Sequence, residues 1–337
     1  MREIINQKEY LFLDGDDSTV LSLLKSPNTE QIRSIIGSYK LIFIDEAQRI
    51  EGIGLTLKII TDQFKDVQLL VSGSSSFDLT NALNERLTER KWDFELFPVS
   101  WEEFENKRNY LIAEQQLENR LLYGFYPDIL NHPGEERELL NQLVSSYLYQ
   151  DILSFSNIRK PEVLEKLVRV LALQLGNEVS YNELAKTIGI DKNTVANYID
   201  ILEKGYVVFK LDSFSRNVRN EIKKNKKIYF YDNGVRNTVI GNFKPLDLRQ
   251  DKGALWENFL ISERLKQNTY KNTNTKMYFW RTKQQQEVDL VEEKDGVITG
   301  FEFKWKAKNN LKLPRTFVNE YGAKEVIIDR SNFRNLQ

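Results

Sequence analysis

The run Leu41-Ile-Phe-Ile-Asp45 constrains the fold more than any other stretch of this chain. Its apolar residues leave no polar face. The strand they form must therefore be covered on both sides, as in a parallel sheet, and it ends in the adjacent carboxylates Asp45 and Glu46. Around it, Tyr10-Leu-Phe-Leu13 predicts a short strand ending in the acidic turn Asp14-Gly15-Asp16-Asp17. The periodicity of 18–25, 29–36 and 54–65 is helical. Val67-Gln-Leu-Leu-Val-Ser72 predicts a second buried strand, and Trp92-Asp-Phe-Glu-Leu-Phe97 a third, alternating one. Strands separated by helices predict a doubly wound α/β sheet.

After Pro98 the pattern is helical to about residue 175, broken around Tyr123-Gly-Phe-Tyr-Pro127 and His132-Pro-Gly134. A helix then ends near Gly176. Ser180-Tyr-Asn-Glu183 reads as a capping box opening a second helix, which Gly189 ends. Asp191 caps a third, Gly205 closes it, and a strand follows over Tyr206–Leu211. Helix, turn, helix, strand is the order of a winged helix. From Lys226 the chain is α/β again, with strands expected at 227–232, 277–281, 287–293, 297–305 and 325–329.

Composition excludes much chemistry. The chain has 337 residues, no Cys and one His, His132, so disulfides, thiolate sites, Cys nucleophiles and multi-histidine metal sites are ruled out. Carboxylates, Lys, Arg, hydroxyls or an oxygen-ligated metal must do any catalysis. Lys plus Arg number 48 against 49 Asp plus Glu, so a DNA contact would need a local basic patch. A span needs about 18 apolar residues in a row, and none occurs, which predicts a soluble, cytoplasmic protein without membrane contact.

Leu41-Ile-Phe-Ile-Asp45-Glu46 has the form of a Walker B motif. The first acid suits Mg²⁺ in a phosphate site and the second suits polarising a water. The alternative is a buried strand with a solvated acidic end. Ser72, Gly73 and Ser74 follow the next strand, where a small polar residue can meet a γ-phosphate. Gly73-Ser-Ser-Ser-Phe-Asp78, Asn84-Glu85, Leu87-Thr88, Arg90-Lys-Trp92 and Glu95-Leu-Phe-Pro98 resemble a group of prokaryotic AAA-type ATPases whose C-terminal part is a domain of unknown function. Tyr147-Leu-Tyr-Gln-Asp151, Tyr229-Phe-Tyr-Asp232-Asn-Gly234 and Trp256-Glu257-Asn-Phe259 carry the resemblance into that part. It implies ATP and Mg²⁺ as cofactors, Asp45 and Glu46 as the Walker B pair, Ser72 or Ser74 as sensor, and Arg90 as an arginine finger. Glu89 stands before Arg90 where the family usually has Gly. No stretch matches G-x-x-x-x-G-K-[ST], which in the family precedes the equivalent of Tyr10-Leu-Phe-Leu13. A fragment, a misassigned start or a truncated gene is the expectation. Proteins of this class often form rings, so self-association is expected.

In the winged-helix segment, Val195, Ile199 and Leu202 form a core stripe, while Asn193, Asn197, Asp200 and Lys204 face out. Asp191, Asp200 and Glu203 outnumber Lys192 and Lys204, a poor balance for a phosphate-lined groove. DNA contact is expected instead from Arg216, Arg219, Lys223, Lys224, Lys226 and Lys227, unless that run is a solvated linker.

Glu287-Val-Asp289-Leu and Glu302-Phe-Lys304 resemble the D…(D/E)-x-K signature of restriction-type nucleases. Asp295-Gly296 is a two-residue hairpin signal that pairs 294 with 297. Asp289 then lies opposite Glu302 and Glu287 opposite Lys304. All four share one face, with Val288, Leu290, Phe301 and Phe303 on the other. Opposed like charges destabilise a sheet, so a basic side chain or a divalent cation should compensate. Asp289, Glu302 and Glu257 suit Mg²⁺, and Lys304 suits orienting water.

The expected architecture is an α/β multidomain chain: an incomplete P-loop ATPase core at 1–98, a helical lid at 99–155, a winged helix at 156–215 and a restriction-nuclease-like α/β domain at 216–337. The function expected is an ATPase, impaired in this chain, coupled to its C-terminal module. The alternatives are a non-enzymatic DNA- or protein-binding module and a Mg²⁺-dependent nuclease.

Overall fold

The computed structural model describes residues 9–73, 91–146, 158, 160–215, 226–307 and 310–336. The contacts divide the chain into two units, Met1–Phe94 and Glu95–Gln337.

In the first unit, β1 (Leu11–Asp14), β2 (Leu41–Asp45) and β3 (Gln68–Val71) form a three-stranded parallel sheet in that order. Helices α1 (Ser18–Leu24) and α2 (Thr29–Ile36) connect β1 to β2, and α3 (Ile53–Gln63) connects β2 to β3. Asp17 caps α1, and Asn28 with Gln31 forms a full capping box on α2. Ile42 and Ile44 pack with Leu24, Ile32, Ile36, Leu57 and Ile60 of the helices. Leu41 and Phe43, on the opposite face, pack with the strand residues Phe12 and Leu70. Among the described residues, the helices of this core therefore pack on one face of the sheet, not on the two that a doubly wound sheet requires.

The alternating strand expected at Trp92–Phe97 does not form. Residues 91–97 carry no strand, and Trp92, Phe94 and Leu96 are 89%, 89% and 93% exposed. Alternation produces a strand only where a neighbour accepts its backbone hydrogen bonds.

The second unit begins with α4 (Trp101–Arg108), α5 (Tyr110–Tyr123), α6 (Pro127–Asn131), α7 (Glu136–Leu143) and α8 (Pro161–Leu173). Next come β4 (Glu178–Val179), α9 (Tyr181–Ile188), α10 (Lys192–Lys204) and β5 (Val208–Ser213), the helix–turn–helix–strand order read from the sequence. Asp191 caps α10 through the N–H groups of Asn193 and Thr194, and Val195, Ile199 and Leu202 are fully buried. Burying such side chains contributes about 1.5–3 kcal/mol each. Ser180 precedes α9, but its side chain makes no capping hydrogen bond, so the expected capping box is absent.

The remaining elements are β6 (Lys226–Phe230), α11 (Asn233–Ile240), α12 (Lys252–Tyr270), β7 (Lys276–Arg281), β8 (Glu287–Lys294), β9 (Val297–Phe303), α13 (Arg315–Tyr321) and β10 (Lys324–Ile328). One seven-stranded sheet runs β10-β9-β8-β7-β5-β6-β4. β5 is its seam, antiparallel to β6 and parallel to β7. The segments expected at 99–155, 156–215 and 216–337 share one hydrophobic core, which includes Trp101, Leu121, Leu167, Ile199, Tyr229 and Trp256. No helix among the described residues is long and apolar enough to cross a membrane.

Three motif stretches meet in this core. Asp232 caps α11 through the N–H groups of Gly234 and Val235 and also accepts the N–H of Phe125 at 2.7 Å. A Cβ on Gly124 would overlap the Asp232 carboxylate, and one on Gly234 would overlap the Tyr123 carbonyl. Asn258 exchanges two hydrogen bonds with the Phe230 backbone, at 2.8 and 3.0 Å. Arg236 and Arg249 are buried and converge on Asp251, with contacts of 2.5 and 2.8 Å.

Candidate functional site

Asp14, Asp45 and Ser72 stand together at the carboxyl ends of β1, β2 and just beyond β3. That edge is where open α/β sheets bind ligands. The Ser72 hydroxyl donates to Asp45 Oδ1, and the Ala47 N–H donates to the Ser72 carbonyl at 3.0 Å. The two strand ends are thereby held in register. Glu46 has a left-handed backbone, φ 47°, rare for a non-glycine residue and a common sign of a functional site. Its carboxylate accepts from Gln48 Nε2 at 2.6 Å. A side chain at Gly15 would run into the Asp45 and Glu46 carbonyls, so only glycine permits this turn. The structure thus brings Asp45, Glu46 and Ser72 together. Ser74 and Arg90 lie outside the described residues.

The second constellation lies in the second unit. The hairpin register read from the sequence holds from Lys294–Val297 to Leu290–Phe301, and Asp295 and Gly296 both have positive φ, 50° and 78°. Between the pairs Tyr278–Val291 and Trp280–Val288, β8 advances three residues against two on β7. This bulge in β8 changes the expected faces. Val288 joins Val291 and Trp280 in one cluster, while Leu290 joins Phe301 and Phe303 in another. The ladder does not reach an Asp289–Glu302 pair. Instead Asp289 Oδ2 accepts the Phe303 N–H at 2.8 Å. Nor does Glu287 pair with Lys304. Glu287 lies 2.5 Å from Lys227 and 3.6 Å from Arg281, and Lys304 lies 2.5 Å from Glu302.

Burial raises Asp289 well above the usual carboxylate range, and Glu257 and Glu302 push it further; Lys227 and Lys304 oppose the shift. Burial alone would lower Lys227, but Glu257 and Glu287 outweigh it and hold the ammonium above its ordinary value. Glu257 accepts from Lys227 Nζ at 3.0 Å and from the Tyr229 hydroxyl at 2.6 Å. Among the described residues, no group of three or more acidic or histidine side chains stands arranged around a common metal position. Glu257, Asp289, Glu302 and Lys304 lie near enough to feel one another's charge. Lys227 and Tyr229 escaped sequence reading. The available signal was a charged residue opening the apolar strand Lys227-Ile-Tyr-Phe, since a buried Lys demands a carboxylate partner.

Several of the charges weighed for a nucleic-acid contact have partners within the fold. Asp200 and Glu203 of α10 both lie 2.6 Å from Lys210, and Asp191 is the cap. Lys226 pairs with Asp212 at 2.6 Å, and Lys227 is buried, so neither is free for a phosphate backbone. Arg216, Arg219, Lys223 and Lys224 lie outside the described residues.

Residues 1–105 match the family model described as AAA domain. Residues 114–246 match Domain of unknown function (DUF8612), and 252–334 match Domain of unknown function (DUF4143). The N-terminal part is therefore similar to AAA-type ATPases, and two regions without assigned function follow it. An uncharacterized protein of Mycobacterium tuberculosis is 27% identical over 276 residues, 80% of this chain and 60% of that protein. One of Haemophilus influenzae is 24% identical over 260 residues, 73% of this chain and 60% of its own length. Another, of Methanocaldococcus jannaschii, is 21% identical over 312 residues, 86% of this chain and 68% of its own length. The chain thus spans 60% of the length of the first two. A crystal structure of a Vibrio cholerae protein aligns over 97% of this chain at 11% identity, with a TM-score of 0.17 that says nothing of the fold.

Proposed function

We propose that the N-terminal sheet is the magnesium- and water-handling half of an ATP site, coupled to a C-terminal winged-helix and nuclease-like module. The observation that carries this reading is the Asp45–Ser72 pair at the carboxyl edge of a parallel sheet, with Glu46 turned beside it. The donors are hard oxygens, which fits Mg²⁺. Asp45 would hold the ion, Ser72 would fix the Asp45 carboxylate, and Glu46 would orient the attacking water. Bound Mg²⁺ would neutralise charge on the phosphates.

The chain contains no G-x-x-x-x-G-K-[ST] loop, so the backbone cradle and Lys that position a triphosphate must come from elsewhere. Positioning and electrostatics supply most of the catalysis in phosphoryl transfer. The 337-residue chain alone is therefore expected to turn over ATP at background rate. Supplying such a loop, by upstream sequence or a partner subunit, should restore Mg²⁺-dependent binding and turnover. Asp45→Ala should then lose binding, and Glu46→Gln should keep it while losing turnover. Submillimolar ATP affinity in the chain alone, with turnover that Glu46→Gln abolishes, would sink this account.

A second reading, a Mg²⁺-dependent nuclease acting on DNA, is favoured by one observation. Asp289 is a buried carboxyl whose ionisation Glu257 and Glu302 oppose, and a divalent cation would relieve that conflict. Glu257 is engaged by Lys227 and Tyr229, so in this reading Asp289 and Glu302 would hold the ion, and Lys304 would orient water. Mn²⁺-dependent nicking of plasmid DNA should appear and should vanish in Asp289→Asn. Nicking that survives Asp289→Asn rules this reading out.

A further inference from the structure

Between Glu302 and Glu320 the chain carries Lys304, Lys306, Lys308, Lys312 and Arg315 and no acidic residue. The whole chain balances 48 cations against 49 acids, so this stretch is a local excess with a positive potential of its own. Lys306, Lys312 and Arg315 are exposed, and among the described residues none of them holds an ion pair. Lys306 acts on Asp247 only from a distance, since Lys252 holds that carboxylate at 2.6 Å. Lys304 is spent on Glu302, and Lys308 lies outside the described residues.

A basic linker would hang free of the fold, but this segment is pinned at both ends. Half-buried Trp305 has Lys252 Nζ and the Arg330 guanidinium over its ring, at 5.4 and 5.1 Å. Leu313 and Phe317 are buried, and the Leu313 N–H donates to Glu325 at 3.0 Å. The Thr316 hydroxyl donates to Gln286 at 2.7 Å. That bond ties the β7–β8 loop, with exposed Lys283, to the start of α13, where Arg315 stands. The loop enters β8 at Glu287, and the basic segment leaves β9 just after Glu302. The cations therefore border the strand ends that carry the acidic cluster. A polyanion approaching those carboxylates is repelled unless fixed cations line its path, and Lys283, Lys306, Lys312 and Arg315 supply them.

We propose that Lys283, Lys306, Lys312 and Arg315 form a contact surface for the phosphate backbone of DNA. The proposal rests on the nuclease reading for the choice of DNA. Binding is measured in chelator, where metal-dependent cleavage cannot occur, so either can fail without the other. Phosphate contacts hold a duplex without reading its sequence, so unrelated duplexes should bind alike, and affinity should fall steeply with salt.

The test is fluorescence anisotropy of a short labelled DNA duplex with the full chain, across a salt series. One variant carries Lys283→Gln, Lys306→Gln, Lys312→Gln and Arg315→Gln. A control removes the same number of exposed cations from α8, α9 and α10, by Lys166→Gln, Arg169→Gln, Lys186→Gln and Lys192→Gln. The control should bind as wild type does. The first variant should bind at least about tenfold more weakly, with a salt slope shallower by roughly three to four. If it melts below wild type, the single variants Lys306→Gln and Arg315→Gln decide, each with a slope loss of about one. A wild type that does not bind the duplex overturns the proposal, as does a four-site variant that binds like wild type. A control that loses as much puts the contact on the helix–turn–helix segment and overturns it too. So does tighter binding to phosphatidylglycerol vesicles than to the duplex, lost in the same four-site variant, which would make this a membrane surface.

Discussion

Gly234→Ala is expected to cost the C-terminal unit about 3 kcal/mol, toward the top of the range for forcing extra volume into a packed site. In a unit of this size that lowers the melting temperature by roughly 10 °C. The cost is high because the obstruction cannot move cheaply. The added Cβ meets the Tyr123 carbonyl, which is backbone at the end of α5, and the Asp232 carboxylate, which caps α11. Asp232 is fully engaged, with N–H donors from Phe125, Gly234 and Val235 at 2.7, 2.8 and 3.1 Å. Displacing it would strand those donors and a buried carboxyl together. Gly124→Ala strains the same carboxylate from the other side, so the two substitutions should not add. Calorimetric melting of both single variants and the double variant checks this. A Gly234→Ala chain that melts within about 2 °C of wild type would mean that the helix-to-strand junction yields more easily than its geometry implies.

Asp251→Asn is expected to destabilise the chain by about 3 kcal/mol at neutral pH, as breaking a buried ion pair does. Arg236 and Arg249 would then face each other in the core without a counter-charge. The same contact governs acid sensitivity. Burial pushes Asp251 up, but hydrogen bonds from Arg249 and Arg236 outweigh it and hold the carboxyl at about 2, against an ordinary 3.8. A depressed carboxyl contributes stability that is complete above its unfolded value and is lost as pH falls through its folded value. Wild type should therefore lose about 1–2 kcal/mol between pH 4 and pH 2 from this group, a figure discounted because a quarter of the side chain meets solvent. The asparagine variant should lack that increment. Urea midpoints of both proteins across that window are the measurement. Equal acid slopes in the two would remove Asp251 from the account.

What the sequence disclosed, and what it hid, follows the range of the interactions involved. The Asp295-Gly296 turn and the register up to Leu290–Phe301 were legible because a two-residue turn fixes its own flanks. The bulge beside Asp289 was not, since it is set by how β8 meets β7. The strand Leu41–Asp45 was legible from its apolar run, and Glu46 followed as its end. The segment Trp92–Phe97 has the pattern of a strand, but no strand pairs with it among the described residues, and pattern alone could not reveal that. The outward charges on α10 looked like a repulsive surface, yet Asp200 and Glu203 answer Lys210, a residue on the next strand. Lys227 looked like one more member of a basic run. Only the fold brings Glu257 and Glu287 to it from 30 and 60 residues away.

The seam strand β5 ties the fates of two stretches that look separable along the chain. Its residues Val208–Leu211 pair with β6, and Asp212 and Ser213 pair with β7. Opening either junction exposes a new hydrogen-bonding edge and the apolar residues beneath it. The helix–turn–helix segment and the terminal strands should therefore exchange their slowest amide hydrogens together, in a single opening event. A protease cutting in a loop on either side of β5 would find no folded half to release.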